Sequence, residues 1–215
     1  MKEAKDIDDS LEFLRSFEKN ANETELGALV LQKLDHRCRS LNLQGSRLTE
    51  SNFQKLFTME PLKRLQLMDL GETRMTSNGI KHLCVSKWLK CLEILSLANN
   101  NLDDEGVFFL SKTICLPSLN SLDLSSNEIG ALGAKALSLS KSLNSINSLD
   151  LSYNRIEALG IHSLANSDFG QRLKVLKLRD TCLGNEGVKE FARYSLKELE
   201  FLDLSENLIS EEGVE

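Results

Sequence analysis

Between residues 92 and 209 the chain sets leucine or isoleucine at fixed intervals, in the order L-x-x-L-x-L-x-x-N-x-L. The copies read LEILSLANNNL (92–102), LNSLDLSSNEI (119–129), INSLDLSYNRI (146–156), LKVLKLRDTCL (173–183) and LEFLDLSENLI (199–209). Two looser copies precede them, CRSLNLQGSRL (38–48) and LQLMDLGETRM (65–75). Aligned on the polar residue near the end of the frame, the series is Ser46, Thr73, Asn100, Asn127, Asn154, Thr181 and Asn207. The spacing is 27 residues five times and then 26. Alternation within L-x-L puts every second side chain on one face, as a short strand requires.

The second half of each unit has a different period. Gly79, Gly106, Gly133, Gly160, Gly187 and Gly213 each fall six residues past the aligned position. Apolar pairs at helical spacing follow, such as Val107 and Leu110, Ala134 and Leu137, Ile161 and Leu164, Val188 and Phe191. A strand and a helix repeated at constant spacing predict a parallel sheet with helices on its other side and leucines filling the gap. The glycines predict close backbone packing where each helix begins.

The aligned asparagines have a separate task. Stacked parallel units leave inward-facing backbone groups in the turn after each strand, which no sheet partner satisfies. A side-chain amide offers both donor and acceptor and can bridge them. Asn100, Asn127, Asn154, Thr181 and Asn207 therefore form a predicted ladder, in which Thr73, Thr181 and Ser46, having only a hydroxyl, are the weaker rungs.

The frame, with its glycine and trailing helix, resembles the leucine-rich repeat family over residues 38–215, in its ribonuclease-inhibitor-like branch. The resemblance implies an α/β fold: a right-handed curved solenoid, or horseshoe, with the parallel sheet on the concave face and helices on the convex face. Residues 1–37 lack the strand motif but carry helical apolar spacing at Ile7, Leu11, Leu14, Leu26, Leu29, Val30 and Leu34, and read as a helical amino-terminal cap. Residues 38–215 read as seven repeats, the last incomplete, because the chain stops at Glu215 where a helix is due. Leu202, Leu204 and Ile209 are then expected to be open on one side. A monomer is expected unless that end self-associates.

Composition narrows the function. The 215 residues carry 26 Lys and Arg against 32 Asp and Glu, net −6, with no basic block. That excludes the clustered positive footprint of a nucleic-acid binder. No apolar run approaches the ~20 residues of a membrane helix, and the charged start MKEAKDIDDSLEF is no secretory signal. Five cysteines, Cys38, Cys84, Cys91, Cys115 and Cys182, are an odd number without clustering, which fits free thiols in a reducing cytoplasm. His82, Cys84 and Cys91 lack a fourth ligand for a metal. None of His36, His82 and His162 has a nucleophile beside it, and no phosphate-binding glycine loop is present. Neither an enzyme nor a cofactor site is expected.

The resemblance implies instead a protein-binding module that holds a folded partner on the concave face and, in the manner of ribonuclease inhibitor, blocks it. The alternatives it implies are a GTPase activator, although the acidic tail of the Ran-activating family is missing here, or a substrate-recognition subunit of a ubiquitin ligase. An adaptor like tropomodulin's repeat domain and an effector delivered by bacteria into a host cytosol complete the set.

Candidate binding residues are the strand positions opposite the leucines. Their middle column runs Asn42, Asp69, Ser96, Asp123, Asp150, Lys177 and Asp203. Neighbouring aspartates ~4.8 Å apart repel each other, a cost that a cationic partner relieves. The preceding column is partly apolar, at Leu67, Ile94, Val175 and Phe201. Departures from the default spelling concentrate in the later repeats, at Tyr153, Lys177, Arg179 and Phe201. Aromatic and arginine side chains on a preformed surface are the usual binding anchors. The predicted site is Asp69, Asp123, Asp150, Tyr153, Lys177, Arg179, Phe201 and Asp203.

Overall fold

The computed structural model describes residues 24–213. Seven three-residue strands form one open sheet: β1 (Ser40–Asn42), β2 (Leu67–Asp69), β3 (Ile94–Ser96), β4 (Ser121–Asp123), β5 (Ser148–Asp150), β6 (Val175–Lys177) and β7 (Phe201–Asp203). All neighbours are parallel and the spatial order is the chain order, so each strand pairs only with the copies before and after it. The register follows the repeat: Ser40 faces Leu67, Ile94 faces Ser121, Asp123 faces Asp150 and Lys177 faces Asp203.

Helices alternate with the strands: α1 (Glu25–Lys33), α2 (Glu50–Leu56), α3 (Ser77–Cys84), α4 (Asp104–Lys112), α5 (Ala131–Ser138), α6 (Glu157–Ala165), the short α7 (Asp168–Gln171) and α8 (Gly184–Ala192). Each of the strands β1 to β6 buries its central residue between sheet and helices. One apolar cluster runs without a break from Leu26 to Leu183. Layer packing sets the glycines. A Cβ on Gly133 would meet Ile129 Cγ2 at 2.6 Å and Asp104 Oδ1 at 2.7 Å, so only glycine lets α5 begin so close to α4. The same Asp104 carboxylate accepts from the Gly130 and Gly133 amides at 2.7 and 2.8 Å. One repeat thus caps the helix of the next.

The ends differ from the sequence expectation in detail. Of the cap predicted over residues 1–37, residues 1–23, including Ile7, Leu11 and Leu14, lie outside the described residues. Helix α1 starts at a Thr24 cap and buries Leu26 and Val30. At the other end Leu202, Leu204 and Ile209 are half-buried, whereas their counterparts Leu176, Leu178 and Leu183 one repeat earlier are buried. Residues Glu211–Gly213 make a 3₁₀ turn beside α8. Asn185 anchors it, donating to the Ser210 hydroxyl at 2.8 Å and accepting from the Ser210 amide at 2.9 Å.

Asparagine side chains fill the turns behind the strands. Asn127 Nδ2 donates to the carbonyls of Leu97, Leu124 and Ser125, and Oδ1 accepts from the Leu102 amide, all within 3.0–3.1 Å. Asn154 repeats the set one unit on, with Leu124, Leu151, Ser152 and Ile129. The threonine rungs are not simply deficient. Thr73 and Thr181 are fully buried. Their hydroxyls reach their own strand carbonyls, Leu70 at 2.7 Å and Leu178 at 2.8 Å. The next asparagine supplies the missing acceptor: Asn100 Oδ1 takes the Thr73 and Met75 amides, and Asn207 Oδ1 takes those of Thr181 and Leu183.

Replacing Asn127 with alanine leaves these groups unpaired and should cost on the order of 1–3 kcal/mol. Asn100→Ala should cost more, because it strips partners from a threonine rung as well. Denaturant midpoints of the two variants check the ranking; equal midpoints would refute it.

Candidate functional site

The exposed face of the sheet is two side chains wide, because each three-residue strand turns its first and third residues outward. The first column is Ser40, Leu67, Ile94, Ser121, Ser148, Val175 and Phe201; the second runs from Asn42 to Asp203. Ile94 and Phe201 are 42% and 50% exposed, so no neighbouring repeat covers them.

Much of the acidic column is occupied locally. Asp69 Oδ1 accepts from the Gly71 amide at 2.9 Å, Asp123 from Ser125 at 2.9 Å, Asp150 from Ser152 at 3.0 Å and Asp203 from Ser205 at 2.9 Å. The Ser125 and Ser205 hydroxyls add a second bond to their aspartates. The recurring D-x-S spelling therefore folds the chain back at each strand end, as Asx turns do. The Ser205 hydroxyl and amide, helped by Arg179 and Lys177, hold the Asp203 carboxyl below its ordinary range.

Of the predicted residues, six lie at the β5–β7 end: Asp150, Tyr153, Lys177, Arg179, Phe201 and Asp203. Lys177 Nζ lies 3.2 Å from Asp150 Oδ2, across the strands. Arg179 pairs with Glu206, and its guanidinium sits 6.0 Å from the Tyr153 ring centroid. That pairing lowers the Glu206 pKa and raises that of Arg179. Phe201 stands in the other column, in register with Val175. Asp123 on β4 stands beside this group, in register with Asp150, whereas Asp69 on β2 lies away from it.

Tyr153 is held in an unusual conformation. The residue before each aligned polar position has positive φ: Gly45, Glu72, Asn99, Ser126, Tyr153, Asp180 and Glu206, at 71°, 57°, 54°, 54°, 58°, 49° and 59°. Only Gly45 adopts this region without strain. Asparagine and aspartate tolerate it, and a bulky tyrosine is the poorest fit in the series. Sequence reasoning named Tyr153 but missed the backbone conformation of this column, for which the lone glycine at its first copy was the available signal.

A second set of missed residues ties the helical layer. Ser86, Thr113 and Ser140 recur at 27-residue spacing and are nearly buried. Their hydroxyls donate to carbonyls one repeat back: Phe57 at 2.8 Å, Cys84 at 3.3 Å and Ser111 at 2.7 Å. On the same side His82 and His162 are each bonded to a glutamate of a neighbouring helix, Glu50 at 3.1 Å and Glu190 at 2.8 Å.

The family model described as Leucine Rich repeat matches residues 89–111, 115–138, 142–165 and 171–192, each of which spans one strand and the helix after it. Residues 89–192 carry leucine-rich repeats. The match is to the repeat as such and singles out no branch of the family. No curated protein sequence matches the chain. Among solved structures it is similar to the actin-binding site 2 of leiomodin-1, at 17% identity over 64% of this chain and 68% of that one, with a TM-score of 0.41. It is similar also to the tropomodulin C-terminal domain of Caenorhabditis elegans, at 17% identity over 81% and 93%, TM-score 0.45. An internalin of Listeria monocytogenes follows at 18% identity over 88% and 66%, TM-score 0.40.

Two predictions arise from the repeat geometry. Tyr153→Gly removes backbone strain of roughly 1–2 kcal/mol against the loss of the exposed Arg179 contact and the entropy cost of a glycine. Its denaturant midpoint should equal or slightly exceed that of the parent; a clear drop would show that the ring supports the fold. All five cysteines are unpaired. Burial pushes the Cys84 thiol up to about 12 and raises Cys38 and Cys115 as well. Exposed Cys91 and Cys182 should therefore react quickly with a thiol reagent, and the other three only on unfolding. More than two fast thiols in a kinetic titration would contradict the packing.

Proposed function

We propose that this leucine-rich repeat protein is a non-enzymatic binding module that holds a folded partner protein on the exposed face of its sheet. The carrying observation is Tyr153: a large aromatic kept exposed, at a turn position that asparagine or glycine would occupy with less strain, beside Arg179. Strain retained at a surface residue points to use of that residue. Phe201 supplies a second exposed aromatic two strands away. Asp123, Asp150 and Asp203 flank the patch and steer a cationic partner, an effect that fades with salt. Because the sheet is built before the partner arrives, little ordering entropy is lost on binding. Five unpaired cysteines suit a reducing compartment. If the seated surface carries the partner's active site, binding inhibits it.

The test is affinity capture from a cell extract with matched variants. Proteins retained by the parent should be reduced more than tenfold on Lys177→Ala with Arg179→Ala, and likewise on Tyr153→Gly. They should persist on the helix-side pair Lys81→Glu with Lys135→Glu. Loss on the helix-side pair alone would assign the working surface to the helices.

A further inference from the structure

The sheet face has a second apolar station. Leu67 and Ile94 stand side by side in the first column on β2 and β3, and Val175 and Phe201 do the same on β6 and β7. Between the two pairs the column holds only Ser121 and Ser148. Over that interval the other column presents Asp123 and Asp150 in register. Strand positions 66–69, 93–96, 120–123 and 147–150 carry Asp69, Glu93, Asp123 and Asp150 and no lysine or arginine. Local bonds leave charge available: Asp123 Oδ1 is turned onto Ser125, while no described residue bonds its Oδ2.

We infer that the occupant is a single basic amphipathic α-helix of the partner, laid across the strands from β2 to β7. This rests on the sheet-face reading above. Three dimensions support it. Alternate residues along a strand lie ~7 Å apart, so two columns with their flanks match one helix, about 10–12 Å across, better than a broad globular surface. Strands ~4.8 Å apart put the centres of the two apolar pairs ~19 Å from each other. At 1.5 Å per residue that is roughly 13 residues of helix, with an apolar pair at each end. The members of each pair, one strand spacing apart, match side chains at i and i+3.

Charge completes the occupant. A helix with lysine or arginine in its middle turns places them over Asp123 and Asp150 and relieves the repulsion between them. Lys177 does not bar the way. It contacts Asp150 now and lies in register with Asp203 on its other side, so it can release Asp150 and keep an acidic partner.

The experiment selects from a displayed library of 18-residue peptides, randomised on a helical alanine-rich frame, against the intact protein. Enriched peptides should carry central Lys or Arg and apolar residues at both ends, about 13 positions apart. Their affinity for Asp123→Asn with Asp150→Asn should fall more than tenfold at low salt, and the gap should close as salt rises. The amides keep the Oδ1 acceptors for Ser125 and Ser152, so the melting temperature of this variant should match the parent. Ile94→Ser with Phe201→Ser should also weaken binding. No enrichment, enriched peptides without net positive charge, or equal affinity for the amide variant would each overturn the inference. Neutral or acidic peptides that are lost on Tyr153→Gly would overturn it while leaving the sheet-face reading intact. Peptides lost only on Lys81→Glu with Lys135→Glu would sink both.

Discussion

The turn behind each strand cannot satisfy its own backbone, and everything else in the molecule follows from that. Asn127 and Asn154 each bond carbonyls of their own repeat and of the one before, together with an amide of the earlier turn. A repeat is therefore complete only when the next one is in place. The helical layer obeys the same rule through the hydroxyls of Ser86, Thr113 and Ser140 and through Asp104 capping α5. With both layers laced at one spacing, neither can slip against the other. This explains why the period holds at 27 residues through six copies while surface letters vary freely. Stability in such a stack is a sum over neighbouring pairs, and local damage stays local.

Much of the fold was legible from residue spacing alone, because burial repeats with the period. Strand positions, register, parallel order and the glycines at the helix starts all derive from which letters must be apolar or small. What the letters hid was backbone conformation and pairing. Six side-chain-bearing residues share the left-handed position that Gly45 marks, and Glu72, Ser126 or Tyr153 advertise nothing of it. The buried hydroxyls were equally silent, since a serine in a loop is ordinary until its period is noticed. At the candidate site the individual residues were readable as departures, and the repeat register offered Asp150 or Asp203 as the cross-strand partner of Lys177, of which the structure takes Asp150. Glu206, which pairs with Arg179, was not readable from the sequence.

In the aspartate column a structural role and the proposed binding role fall on one side chain. One oxygen of each carboxylate closes the turn, which an asparagine can also do, as Asn42 does with the Gln44 amide at 2.9 Å. Turn closure alone therefore does not require the charge. Four aspartates nevertheless occupy the column. Their mutual repulsion is a small standing cost, which a bound cation turns into attraction.

The ion pairs at the β5–β7 end bear on how a partner would be discriminated. Lys177 and Arg179 are already matched, so a visitor that buries them must also satisfy Asp150 and Glu206 or leave charges stranded. Exchanging one set of solvated pairs for another yields little net affinity, and a wrong partner is penalised by every group it leaves unpaired. Affinity has to come from elsewhere, and the exposed aromatics Tyr153 and Phe201 offer apolar area with few rotamers to freeze. On the proposed reading of this face, the charges choose and the rings hold.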